Sequence, residues 1–150
     1  MAKIWDKNPQ AGPTLPRDTY TGSPFKVNRQ YAERFGDAWL ILSAKYGFLS
    51  PDKIVPGPYN VTFKRRSPPP IDRSVLRQQA QQIELDRFSE VIGLGGQDYR
   101  TMIEYAFAFS TVSLHFPFAG MPLGKSLGAA KLAIATGQAL PAQTPATRLI

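Results

Sequence analysis

Cysteine is missing altogether from the 150 residues. That one absence excludes disulfides, Cys-ligated zinc, Cys-bound iron–sulfur clusters and thiol catalysis. A single histidine, His115, excludes a multi-histidine metal centre as well, so no metal or other cofactor is expected. No apolar stretch approaches the roughly 18–20 residues a membrane span needs, and the first residues lack the apolar run of a signal peptide. No membrane association is expected, and the cytoplasm is the expected address. Acids are scarce, with 11 Asp and Glu against 18 Lys and Arg, a net charge of +7 and a pI near 9.9. Such an excess attracts polyanions through a salt-sensitive, sequence-independent term, which makes nucleic acid the expected partner.

What is present suits one domain with an ordinary core: 43% of the residues are apolar. Residues 1–25 are rich in Pro, Gly, Thr and Asp and read as a long loop with a stub of strand at 3–5. Helical spacing runs over residues 26–35, and Gly36 stops it. AWLILSA (38–44) is an apolar run of strand length. Residues 45–71 form a long irregular connection with three proline clusters, and KRRSPPP (64–70) joins three cations to a stiff polyproline tract. Asp72 or Ser74 caps a polar helix over about 73–87. SEVIGL (89–94) is a second buried strand, turned by Gly95 and Gly96 into a helix over 97–109. Residues 111–115 form a third strand, and a small-residue helix follows over 123–135.

This order predicts an α/β, three-layer domain over residues 1–136 with a short parallel sheet, followed by a flexible tail over 137–150. Ligands of such sheets sit beyond the carboxyl ends of the strands. Those ends, residues 44–48, 95–97 and 115–118, are expected to share one rim.

Several groups on that rim have useful chemistry. GLGGQDYR (93–100) offers backbone N–H groups at a helix start, where Gly95, Gly96 and Gln97 can meet a phosphate; a plain tight turn is the other reading. His115 can donate to a developing anion while the aromatics after it, Phe118 among them, stack on a base. The N-terminal loop supplies Asp6, Asp18 and the run YTGSPF (20–25), with Ser23 and Phe25; a carboxylate there can support an oxocarbenium-like cation or activate water. SAKYGF (43–48) brings Lys45 and Tyr46, and PGPYN (56–60) brings Tyr59 and Asn60, an amide suited to reading a base edge. Lys64, Arg65 and Arg66 are candidate phosphate contacts, with Lys125 a further one.

Taken together, ILSAKYGFLSPD, GPYNVTF, GLGG with DYR, and PFAGMPLG resemble the YaaA-like small proteins of bacteria and phages over residues 3–136. In that group a strand ending in a Cys-containing turn precedes the KIWDKNP region. Here the chain reads MAKIWDKNP, so either the start is shortened or that strand is replaced. A more distant similarity is to the uracil-DNA glycosylase superfamily. YTGSPF is similar to its Gly-x-Pro-Phe stretch, which would give Phe25 the stacking role, and VSLHFPFAGMPLG looks like its His-Pro loop, with Phe116 intervening between His115 and Pro117. The resemblance implies a glycosylase-like fold and a water-activating acid at Asp6 or Asp18, with Asn60 as a stand-in. It implies a DNA glycosylase that flips and excises a modified base, of the kind found in phage genomes, in antiviral defence or base repair. The alternatives are a non-catalytic nucleic-acid-binding or oxidative-stress protein, and an enzyme acting on free nucleosides.

Overall fold

The computed structural model describes residues 23–52, 61–63, 69–108, 110–140 and 147–149. Helix α1 (Ser23–Phe35) begins three residues earlier than its spacing predicts. Pro24 lies in its first turn, where a missing N–H is tolerated. Gly36 closes it, its N–H donating to the Ala32 carbonyl at 2.9 Å.

The apolar run 38–44 is not one strand. Ala38–Trp39 forms β1, and Ile41–Ser43 forms β2, which pairs antiparallel with β3 (Gly47–Leu49). The chain therefore folds back inside what the sequence presents as an irregular connection. Gly47 makes this possible: its φ is +77°, and any Cβ there would collide with the Gln79 side chain.

Helix α2 (Arg73–Gln82) starts on Asp72, whose carboxylate accepts from the Ser74 N–H at 2.8 Å and from its hydroxyl at 2.6 Å. It ends earlier than predicted because Glu84 turns left-handed at φ 55°, and a short 3-10 turn, Leu85–Arg87, follows. Strand β4 (Glu90–Ile92) leads through Gly96 into α3 (Gln97–Ala106). Strand β5 (Ser113–His115) leads into α4 (Leu123–Thr136), which Gly137 ends in the left-handed region at φ 72°.

The four-stranded sheet has the order β1–β6–β4–β5, and all its pairings are parallel. Its inner strand β6 is Thr147–Leu149. These residues fall in the segment 137–150 read from the sequence as a flexible tail, three residues of which form this strand. The backbone groups of β1 and β4 that face the gap between them find their partners there.

Helices cover both faces. Val91 belongs to a cluster with Leu76, Ala80, Tyr99 and Ile103 from α2 and α3. Ile92, the next residue, belongs to a cluster with Val27, Tyr31, Ala130 and Ala133 from α1 and α4. Alternate strand residues point to opposite faces, so this split is what a sheet between two helical layers requires. Truncating a fully buried anchor such as Leu76 or Ile103 to Ala is expected to cost about 2–5 kcal/mol.

Candidate functional site

The strand register sets the rim. Trp39, Leu149, Ile92 and His115 stand in one row across the sheet, at or beside the carboxyl end of each strand. The Gly93 N–H donates to the His115 carbonyl at 3.0 Å and extends the ladder by one bond. Residues in one row share a face, so His115 shares that of Ile92, toward α1 and α4, while Leu114 packs with Val91's cluster on the other side. The Nε2 of His115 is buried and has no hydrogen-bond partner among the described residues.

Phe116, which interrupts the His-Pro pattern, has a structural reason. Its ring lies against Gly93, where a Cβ would come within 2.6 Å of it, and it packs with the α2–α3 core. The loop then runs to Met121 and Leu123, which are 43% and 50% exposed beside the start of α4. Neither was singled out in the sequence; only their apolar character within a Gly-Pro loop could have marked them.

Three helix starts border the same rim. Neither α3, capped at Gly96, nor α4, capped at Pro122, has a side-chain cap among the described residues. The first turns of α1 and α4 hold no acid, whereas that of α3 carries Asp98. Exposed N-terminal N–H groups without acidic neighbours favour an anion. Gly96 is open, with nothing within 4 Å of a Cβ placed on it. Gly95 is buried instead, and its carbonyl accepts from Arg100 at 3.2 Å. Arg100 also donates to the Gln97 side chain at 2.9 Å, so it fixes this turn. Gln97 and Lys125 are exposed. Ser23 opens α1, which is tied to the rim by a 3.3 Å bond from the Asn28 amide to the Leu94 carbonyl.

The hairpin turn is held from two sides. The N–H groups of Lys45 and Tyr46 both donate to the buried Ser43 hydroxyl at 3.1 Å. Gln79 of α2 accepts from the Phe48 N–H and donates to the Tyr46 carbonyl, each at 3.0 Å. Lys45 is exposed above the half-buried Tyr46 ring, 5.2 Å from its centroid.

Two of the proposed stacking rings are core residues. Phe25 is 2% exposed and enclosed with Ile41 and Leu49, with Tyr46 packed against them. Phe118 is 5% exposed and meets the Tyr31 ring edge-on at 5.8 Å. A base can stack on either only if that packing opens. Beside Phe25 lies a cavity of about 10 Å³, room for about one water. A larger cleft of about 350 Å³ lies between α2 and α3, lined by Phe63, Ile71, Asp72, Arg73, Asp98 and Met102 among others. It belongs to the face opposite His115. Its residues come from two stretches distant in sequence, and although Asp72 and Asp98 lie in local signals, nothing in the sequence brings the two together. The Asp72 carboxyl is held below the ordinary aspartate value, chiefly by the Ser74 hydroxyl and then by the Ser74 N–H.

Asp6, Asp18, Tyr59, Asn60, Lys64, Arg65 and Arg66 lie outside the described residues. Among the described residues no cluster of three or more His, Cys, Asp or Glu could hold a metal, and no helix is long and apolar enough to cross a membrane.

The family model that matches the chain is described as a family of unknown function (DUF6884), and it covers residues 7–131. Over 101 residues, 67% of each chain, the sequence is 41% identical to the uncharacterized protein YfjM of Bacillus subtilis (strain 168). No solved structure matches.

Proposed function

The chain belongs to the DUF6884 family of unknown function, and on that premise we propose that it is a DNA glycosylase that excises a modified base. The carrying observation is His115. Its Nε2 is buried and has no partner among the described residues, and His115 is the last residue of β5, at the sheet's carboxyl rim. A departing base takes up negative charge as the glycosidic bond breaks, and an imidazole donor held away from water stabilises such charge. The net charge of +7 holds DNA by its phosphates. Lys125, at the acid-free start of α4, is the first candidate for contacting them, with exposed Gly96 and Gln97 beside Asp98 at the start of α3 as further ones. Met121 and Leu123 supply an apolar edge that can enter the stack of a kinked duplex. The resemblance of YTGSPF and VSLHFPFAGMPLG to the uracil-DNA glycosylase superfamily supports this reading, as does a three-layer parallel sheet, which we take as glycosylase-like. Tyr46, less buried than Phe25 and Phe118, takes the stacking role among the described residues, and Asp6, Asp18 or Asn60 the activation of water. The modified bases of phage DNA are the substrate class, which implies a part in antiviral defence or base repair.

One observation favours a second reading. The cavity beside Phe25, at about 10 Å³, is far too small for a base. A non-catalytic DNA-binding protein needs no such pocket. Incubation with unmodified and phage-modified DNA separates the two, with mass spectrometry for released bases and a test for abasic sites. Base release with abasic-site formation is expected. Salt-dependent DNA affinity without release of any base would overturn the glycosylase in favour of the binding protein.

A further inference from the structure

Among the described residues, charge is divided unevenly between the two helical layers. On the side of His115, α1 and α4 carry Lys26, Arg29, Arg34, Lys125 and Lys131 against Glu33 alone. Glu33 is taken up by Arg29, at 2.8 Å. The other four cations are exposed, and none has an ion pair among the described residues. Asp37, past the end of α1, stands before β1 at the amino edge of the sheet. On the opposite side, the four arginines of α2, the 3-10 turn and α3 are outnumbered by Asp72, Glu84, Asp86, Asp98 and Glu104 of the same elements and their caps. The exposed positions of α1, Lys26, Gln30, Glu33 and Arg34, fall at helical spacing on the side away from Val27 and Tyr31, which pack against α4. Lys125 and Lys131 likewise flank a smooth stretch of α4, where Gly124 and Gly128 have nothing within 4 Å of an added Cβ.

We infer that duplex DNA lies across the α1–α4 layer, with its phosphates on Lys26, Arg34, Lys125 and Lys131. This placement rests on DNA as the partner, the reading proposed above, and adds which side of the sheet the duplex takes. Lys26 and Arg34 stand about 12 Å apart along α1, Lys125 and Lys131 about 9 Å apart along α4, and packed helix axes lie about 8–10 Å apart. A patch of this size faces several phosphates, since a duplex carries one charge about every 1.7 Å. Lys26 and Lys125, in the first turns of their helices, set the patch against the rim where His115 stands. The two open glycines let a phosphate backbone approach α4 closely. An anionic lipid surface fits less well, because an interfacial helix buries a broad apolar face. Between its lysines and beyond them, α4 exposes only Leu132, 65% open, as a large apolar side chain after its first residue.

Two double variants test the side. Lys26→Glu with Lys131→Glu, and Arg73→Glu with Arg87→Glu, change the net charge equally on opposite faces. All four side chains are exposed, so the fold should tolerate both pairs. Binding of a short labelled duplex is followed by fluorescence anisotropy over a salt series. The first pair should weaken binding at least about 10-fold and make the slope of log affinity against log salt shallower by about 2 units. The second should weaken it less than about 3-fold, because salt screens charges that do not touch the duplex. Lys26→Gln with Lys131→Gln separates lost contacts from introduced repulsion: the same change of slope is expected, and an unchanged slope ends the proposal. Loss of binding to phosphatidylserine vesicles rather than to DNA in the first pair would give the face to lipid and overturn it too. Base release is read on the same samples. Equal losses of DNA affinity from the two pairs, with base release intact, sink the placement alone. The expected split of affinities without base release sinks the glycosylase alone.

Discussion

His115 is the residue on which the functional reading turns, and two substitutions probe its surroundings. His115→Ala should slow base excision by about 10²–10³-fold while leaving DNA affinity nearly unchanged, because the group acts on charge that develops during the reaction. Single-turnover excision and filter binding on the same samples check this, and a parallel loss of affinity would make His115 a binding residue. Gly93 supports it from the neighbouring strand. Gly93→Ala places a methyl against the Phe116 ring and should cost about 1–3 kcal/mol of stability. Adding Phe116→Leu should restore part of that loss in thermal melts. If Gly93→Ala is neutral, the contact between ring and strand is looser than the structure has it. A lone histidine and a glycine pair are visible in sequence. That the imidazole nitrogen is buried, and that Phe116 turns away toward the α2–α3 core, are not, because both depend on elements folded against them.

Among elements, the β2–β3 hairpin presents Lys45 and Tyr46, and α2 holds it through one side chain. Gln79→Ala removes both bonds of the clamp and leaves the Phe48 N–H without its acceptor. A loss of about 1–3 kcal/mol is expected in denaturant melts. Gln79 read as one more residue of a polar helix, since its partners lie 31 and 33 positions away. The cap of α2 was legible, because an Asp two residues before a Ser at a helix start is a local signal. Its pH dependence follows from the lowered carboxyl. A depressed folded value means that the cap contributes fully above the ordinary aspartate range and that its contribution fades as the pH falls through the folded value. Asp72→Asn should therefore flatten the acid side of the stability profile, and an unchanged profile would remove the cap from the acid response.

On the scale of the whole molecule, a net charge of +7 predicts salt-dependent DNA binding, and Lys64, Arg65 and Arg66 are its densest source. Changing all three to Ala should make the slope of log affinity against log salt shallower by about 2–3 units. An unchanged slope would take this run out of the interface. The sequence by itself determined the class of the domain, an alternation of apolar runs and helical segments that lays down a parallel sheet, because strand and helix periodicities are local. It also placed the rim, since the residues after each strand of a parallel sheet must gather at one end. Tertiary structure decided what fills the middle of that sheet. Thr147–Leu149 has no strand-like apolar run to announce it; it becomes a strand because β1 and β4 leave backbone groups that must be paired. Tertiary structure also took Phe25 and Phe118 from the rim into the core, because an aromatic ring beside a helix gains more from packing than from water. Which rings stay open to a ligand is set by neighbours that no local pattern encodes.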